Sequence, residues 1–270
     1  MKKILLSAAF IAMAFSLFAQ EDDKNEEYEL RGNEKYGYII TEKGDKIEGI
    51  VKLMGTAETP WVNQKKVKFL AKTEIDPAKN RQKLKKMDTD DLKEFVAIDG
   101  DKERHFRLVK WANTREGVTS EGGGLGGTLK KAKNLSTTRH MAEVMIDGRI
   151  SVFRLYGYPA TVAVGKGDVE KMERETKELQ ENPTVLVQKE DGKVEAFQAE
   201  DIKELVKDCD MVKEKLEAGK YASYDPAKQE KKRSGMGKMI KNEVDRAGMG
   251  GTLLTMAEEV FSDYNANCNK

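Results

Sequence analysis

The sequence is short of the residues that most metal and nucleophilic chemistry needs. Its only two histidines, His105 and His140, lie on different segments without H-E-x-x-H or H-x-x-E-H spacing, which excludes a zinc site of that kind. No G-x-S-x-G elbow offers an activated serine. The acidic stretches DTDDLKE and DGDKE lack the twelve-residue calcium loop with its central glycine and final glutamate, and read as a helix start or a turn. Scattered Asp and Glu always allow a glycosidase pair, but in a chain that is 35% charged the pattern singles none out. No catalytic residue, metal or cofactor is therefore assigned.

An excess of either charge is also missing. The 48 basic and 47 acidic residues nearly cancel, which removes the electrostatic drive for nucleic-acid binding. Long apolar runs are absent after residue 19. No later segment approaches the ~18 residues of a membrane-spanning helix. The strand-like segments carry too many alternating charges for an outer-membrane barrel.

The single apolar run stands at the start. Lys2 and Lys3 precede the uncharged stretch Ile4 to Phe18, and Ala19 supplies a small residue at the expected cut. Residues 1–19 thus read as a secretory signal peptide, placing the protein in the periplasm or on the cell surface. The mature chain then starts at Gln20, and its acidic residues 20–30 are expected to be disordered. Two cysteines remain, Cys209 and Cys268. In an oxidising compartment they allow one intramolecular bridge, worth roughly 4 kcal/mol for a loop of this size, or else two separate buried thiols.

Alternating apolar residues recur around turn-forming glycines. YGYIITEKGDKIEGIVKL turns at Gly44-Asp45. FVAIDGDKERHFRLVKW, AEVMIDGRISVFRLYGY and TVLVQKEDGKVEAF turn at Asp99, Asp147 and Asp191. Phe-Arg-Leu occurs on two of the return strands, at 106–108 and 153–155. These segments predict a β-rich domain over 31–198, built as an antiparallel hairpin meander in the form of a sheet or partly closed barrel. ETPWVNQKKVKFL is expected to add a strand, DPAKNRQKLKKMDTDDLKEF to end in a short helical turn, and Gly167–Glu181 to form a helix that Asn182-Pro183 stops. Residues 113–138 form a Gly-rich connector.

After Phe197 the apolar period becomes helical. Ile202, Leu205, Val206, Cys209, Val212 and Leu216 share one helix face ending at Gly219. Leu253, Met256, Ala257, Val260, Phe261 and Tyr264 share another. The fold class is α+β, with a small helical region at 199–270 and a polar linker at 225–233.

Several stretches resemble exported proteins of unknown function common in Bacteroidota: GYIITEKGDKIEGIVKL, DLKEF before a hairpin, MIDGRISVFRLYGY, DIKELVKDCDMVKEKLEAGKY and the terminal YNANC. The resemblance spans most of the mature chain. It implies the Cys209–Cys268 pairing and brings no assigned activity. The glycine-rich stretches depart from it.

Those stretches invite a nucleotide-site reading. In EGGGLGGTLKK, Gly122, Gly124 and Gly127 match G-x-G-x-x-G. Thr128 and Leu129 stand where a Walker loop needs Lys and Ser/Thr, and no strand precedes the glycines, so a flexible or close-packing loop is expected. The echo GMGGTL, 248–253, places a threonine where it could cap a helix. The basic run KQEKKRSGMGKMIK reads as a solvated linker rather than a membrane contact.

The remaining candidates are ligand-facing. Alternation puts Arg107 and Trp111 opposite Phe106 and Leu108, and Arg154, Tyr156 and Tyr158 opposite Phe153 and Leu155. If Phe and Leu face the core, two hairpins turn an Arg-and-aromatic face outward, fit to stack a glycan or meet an envelope protein. The competing reading is plain cross-strand packing. Together these features suggest a non-enzymatic binding or structural component of the envelope, with an envelope hydrolase as the alternative.

Overall fold

The computed structural model describes residues 28–79, 81–112, 138–159, 166–225 and 249–268. The expected signal peptide, the acidic stretch through Glu27, the Gly-rich connector up to residue 137, the linker after Asp225 and the KQEKKRSGMGKMIK run lie outside them. The chain divides into two compact units. In the smaller, Met1–Glu29 with Ile75–Gln82, the Gln82 side chain both accepts from Asp76 N and donates to Asp76 O.

The larger unit, Leu30–Glu74 with Lys83–Lys270, carries ten strands. They are β1 (Glu34–Thr41), β2 (Lys46–Leu53), β3 (Lys66–Ala71), β4 (Lys85–Asp88), β5 (Leu92–Asp99), β6 (Lys102–Lys110), β7 (Arg139–Ile146), β8 (Ile150–Leu155), β9 (Thr184–Lys189) and β10 (Glu195–Ala196). The four glycine-marked turns each join an antiparallel pair: β1/β2, β5/β6, β7/β8 and β9/β10. The sheet runs β10-β9-β8-β7-β6-β5-β1-β2-β3-β4. It is an open antiparallel sheet, not closed into a barrel.

The open sheet is nonetheless strongly curled. β4 and β5 are separated in it by β1, β2 and β3, about 19 Å across four flat strand spacings. Only residues 89–91 connect them. Asp91 N donates to Asp88 O (3.0 Å) and Asp88 N to the Asp91 carboxylate (2.9 Å), a tight turn whose ends lie within ~7 Å. The helical turn expected before Phe95 is therefore a β-turn, because the Asp91 carboxylate accepts from Asp88 N and closes the turn instead of capping a helix. A second contact repeats the message: Met141 N in β7 donates to Gln64 O just ahead of β3 (2.9 Å).

Two facing glycines permit the bend. Gly37 and Gly49 are direct cross-strand partners. A Cβ on Gly37 would lie 1.9 Å from Val96 O, and one on Gly49 2.1 Å from Leu70 O. No side chain fits there, so neighbouring strands can close up. The concave face holds a core including Ile39, Val51, Val67, Phe69, Phe95 and Phe106, the last two stacked at 4.5 Å.

The same face of β8 and β9 is covered by helices. α1 (Lys166–Glu181) forms where expected and stops before Pro183. α2 (Ile202–Leu205), α3 (Asp210–Glu217) and α4 (Gly250–Asn267) follow. The expected single helix from Ile202 is thus two, broken at Cys209, which sits extended at φ −127°. Its apolar register survives the break: Ile202, Val206, Cys209, Val212 and Leu216 are all buried. Gly219, at φ +62°, ends α3 with Lys220 N returning to Lys215 O. The six residues expected on the α4 face are all buried. Cys209 and Cys268 form the disulfide, with Cα atoms 5.9 Å apart. α4 begins at Gly250, so Thr252 lies inside the helix and does not cap it. Gly250 is needed for close approach instead, since a Cβ there would meet Pro183 O at 2.2 Å.

Polar ties lock this end. Asn265 of α4 accepts from Ile150 N (2.9 Å) and donates to Ile150 O (2.8 Å), behaving like an extra strand residue beside β8. Asp208 receives Arg149, Lys189 and Tyr264. Burial pushes its carboxyl up, but the Lys189 and Tyr264 bonds outweigh that and hold it at about 2. Burial and Asp208 together push the Tyr264 hydroxyl up to about 12.

Candidate functional site

The Arg-and-aromatic residues do not form one outward face. Phe106 pairs across the sheet with Glu143, and Glu143 with Arg154. Phe106 is therefore in register with Arg154, not with Phe153. The two Phe-Arg-Leu copies are offset by one position, and with a side-chain period of two that offset reverses their faces. Arg107 lies on the convex side, where it donates to both oxygens of Asp147 (3.1 and 2.9 Å) and to Glu94 (3.3 Å). Arg154 lies on the concave side, bonded to Glu143 (2.7 Å).

The aromatic members scatter as well. Trp111 is half-buried against Val109, Ala142 and Phe153. Tyr156 packs with Trp61, Tyr158 and Leu179 of α1. Tyr158, 4% exposed, meets His140 Nδ1 at 2.9 Å. His140 Nε2 lies 3.1 Å from Trp111 O. A carbonyl can only accept, so Nε2 carries a proton and, in the neutral ring, Nδ1 accepts from Tyr158. This histidine, fully buried, ties β7 to the segment after β8. Each of the five candidate positions is engaged within the chain, Arg107 and Arg154 by carboxylates and Trp111, Tyr156 and Tyr158 by packing.

The concave face holds a different polar group. Glu143, 6% exposed, is bonded by Arg104 Nε (2.8 Å) and Arg154 Nη2 (2.7 Å). Burial raises its pKa, and the two guanidiniums more than reverse this, leaving the carboxyl below its ordinary value. Glu258 of α4 also acts on Arg154. The Arg104 guanidinium sits over the Phe106 ring at 5.2 Å.

Arg104 also lines a cavity of about 250 Å³ at the open end of the concave face. β1, β2, β5 and β6 all end or begin there. Leu53 and Ala97 make an apolar floor, and Asn33, Lys35, Thr56, Asp99 and Arg104 supply polar walls. Ala97 is the direct cross-strand partner of Arg104, so a methyl group sits opposite a long side chain and leaves room beside it. Lys35 is committed to Asp99 at 2.6 Å. Sequence reading passed over Lys35, Asp99, Arg104 and Glu143. The available signal was small residues, Ala97 within β5 and Gly55 just past the end of β2.

The described carboxylates with displaced pKa values, among them Glu94, Glu143, Asp147 and Asp208, are all displaced downward. Among the described residues, no group of three or more His, Cys, Asp or Glu side chains is placed to hold a metal ion, and no helix is long and apolar enough to cross a membrane. No family model, curated protein or solved structure matches the chain.

Proposed function

We propose that this chain is an exported, non-enzymatic binding component of the periplasm or cell surface that holds an envelope glycan at the open end of its curled sheet. Export is supported by the basic-then-apolar leader and by the Cys209–Cys268 bridge, a bond that persists in oxidising compartments.

The observation that carries the binding reading is the cavity: an apolar floor of Leu53 and Ala97 under a polar rim. A sugar ring presents that same pairing, C–H faces with hydroxyl edges. At about 250 Å³ the cavity falls just below the ~300–1,000 Å³ of sites for drug-sized ligands, so it suits one ring rather than a chain. A hydrolase finds less support, since a general acid working near neutrality needs a raised carboxyl pKa and the displaced carboxyls described here are lowered.

The test is retention of the native envelope's polysaccharide and protein fractions on the immobilised protein. Retention of a polysaccharide, abolished by digesting it, is the expected result. Retention of protein alone would replace the glycan with a protein partner, and retention of neither would remove the binding reading.

A further inference from the structure

We propose that the sugar recognised at this cavity carries a carboxylate, seated on the outer edge of Arg104; this inference rests on the glycan-binding reading. Arg104 uses Nε for Glu143 and, among the described residues, donates neither Nη1 nor Nη2 to any partner. Its side chain is 34% exposed, on the cavity wall. The guanidinium is held at two points, by Glu143 at Nε and by the Phe106 ring beneath it, so its plane is set before a ligand arrives. A free, oriented Nη edge fits a planar carboxylate through two parallel hydrogen bonds.

Charge around the cavity agrees. Lys35 and Arg104 are basic and only Asp99 is acidic, and Asp99 is already neutralised by Lys35. Arg104 shares the single Glu143 carboxylate with Arg154, so an arriving anion meets a cation that is only partly compensated. Asn33, whose side-chain amide has no bond within the described chain, also lines the cavity and offers a partner for a ring hydroxyl. Leu53 and Ala97 lie where the ring's C–H face would rest.

Calorimetric titration of the purified protein with D-galacturonate, D-galactose and inorganic phosphate tests this. Galacturonate is expected to bind at least tenfold tighter than galactose. Arg104→Gln should weaken it at least tenfold, and Arg104→Lys should fall between, because lysine keeps the charge but loses the paired donors. Equal binding of galactose, binding of phosphate as tight as galacturonate, or an unchanged affinity in Arg104→Gln would each overturn the proposal. If Arg104→Gln does not fold, the galacturonate-to-galactose contrast on the native chain decides alone. Polysaccharide retention that free galacturonate cannot compete away leaves the glycan-binding reading standing and removes this one, whereas absence of retention removes both.

Discussion

The curled half of the sheet and the helix-covered half bury their cores by opposite means. In β1 to β6 the sheet is its own lid: Gly37 and Gly49 let the strands fold toward one another, and Phe69, Phe95 and Phe106 fill the concavity. In β7 to β10 the same face stays accessible and α2 to α4 cover it, held by the Cys209–Cys268 bridge, the Asn265 pair and the Asp208 network. A sheet that bends needs missing side chains, and a sheet that does not bend needs another layer and something to fasten it. The cavity exists because the bend leaves one end of the trough open.

Three perturbations test that division, from the largest effect to the smallest. Replacing Cys209 and Cys268 by serine should cost about 4 kcal/mol. Urea denaturation gives the total, and hydrogen exchange should show α4 losing protection while β1, β2 and β5 keep theirs. Equal loss in both halves would mean that the two are not separately fastened. Gly37→Ala should act in reverse, costing about 3 kcal/mol as a methyl meets the Val96 carbonyl, with protection lost first in β1, β2 and β5. A cost under ~0.5 kcal/mol would show the bend to be independent of this glycine.

The smallest effect is that of pH on the helical half. Asp208 has a folded pKa of about 2 against an ordinary value of about 3.9. A depressed carboxyl contributes stability above its unfolded pKa and loses it as pH falls through the folded one. Asp208 should therefore account for a loss of about 1 kcal/mol between roughly pH 4 and 2, a modest figure because solvent reaches the carboxylate. Asp208→Asn should show a shallower decline over that window, and identical pH profiles would assign the acid sensitivity elsewhere.

Hairpins and helices were legible because their causes are local. Gly44, Gly100, Gly148 and Gly192 stand in the turns that join strand pairs, and the spacing of Leu253, Val260 and Tyr264 does put one helix face inside. The face assignment of Arg107 and Arg154 was not legible. It depends on how Phe106, Glu143 and Arg154 align across three strands, and a one-residue offset between repeated tripeptides is invisible until the strands pair. The cavity was harder still, since Lys35, Leu53, Ala97 and Arg104 come from four strands and meet only at the end of the trough.

What the amino-acid order determined by itself is therefore the parts: strand pairs by alternation and turn residues, helices by period, and one possible bridge by cysteine count. Which faces those parts share was decided in the tertiary structure. Register and curl arise from contacts between residues far apart in the chain, and the choice of Glu143 to hold Arg104 and Arg154 together exists only once β6, β7 and β8 lie side by side.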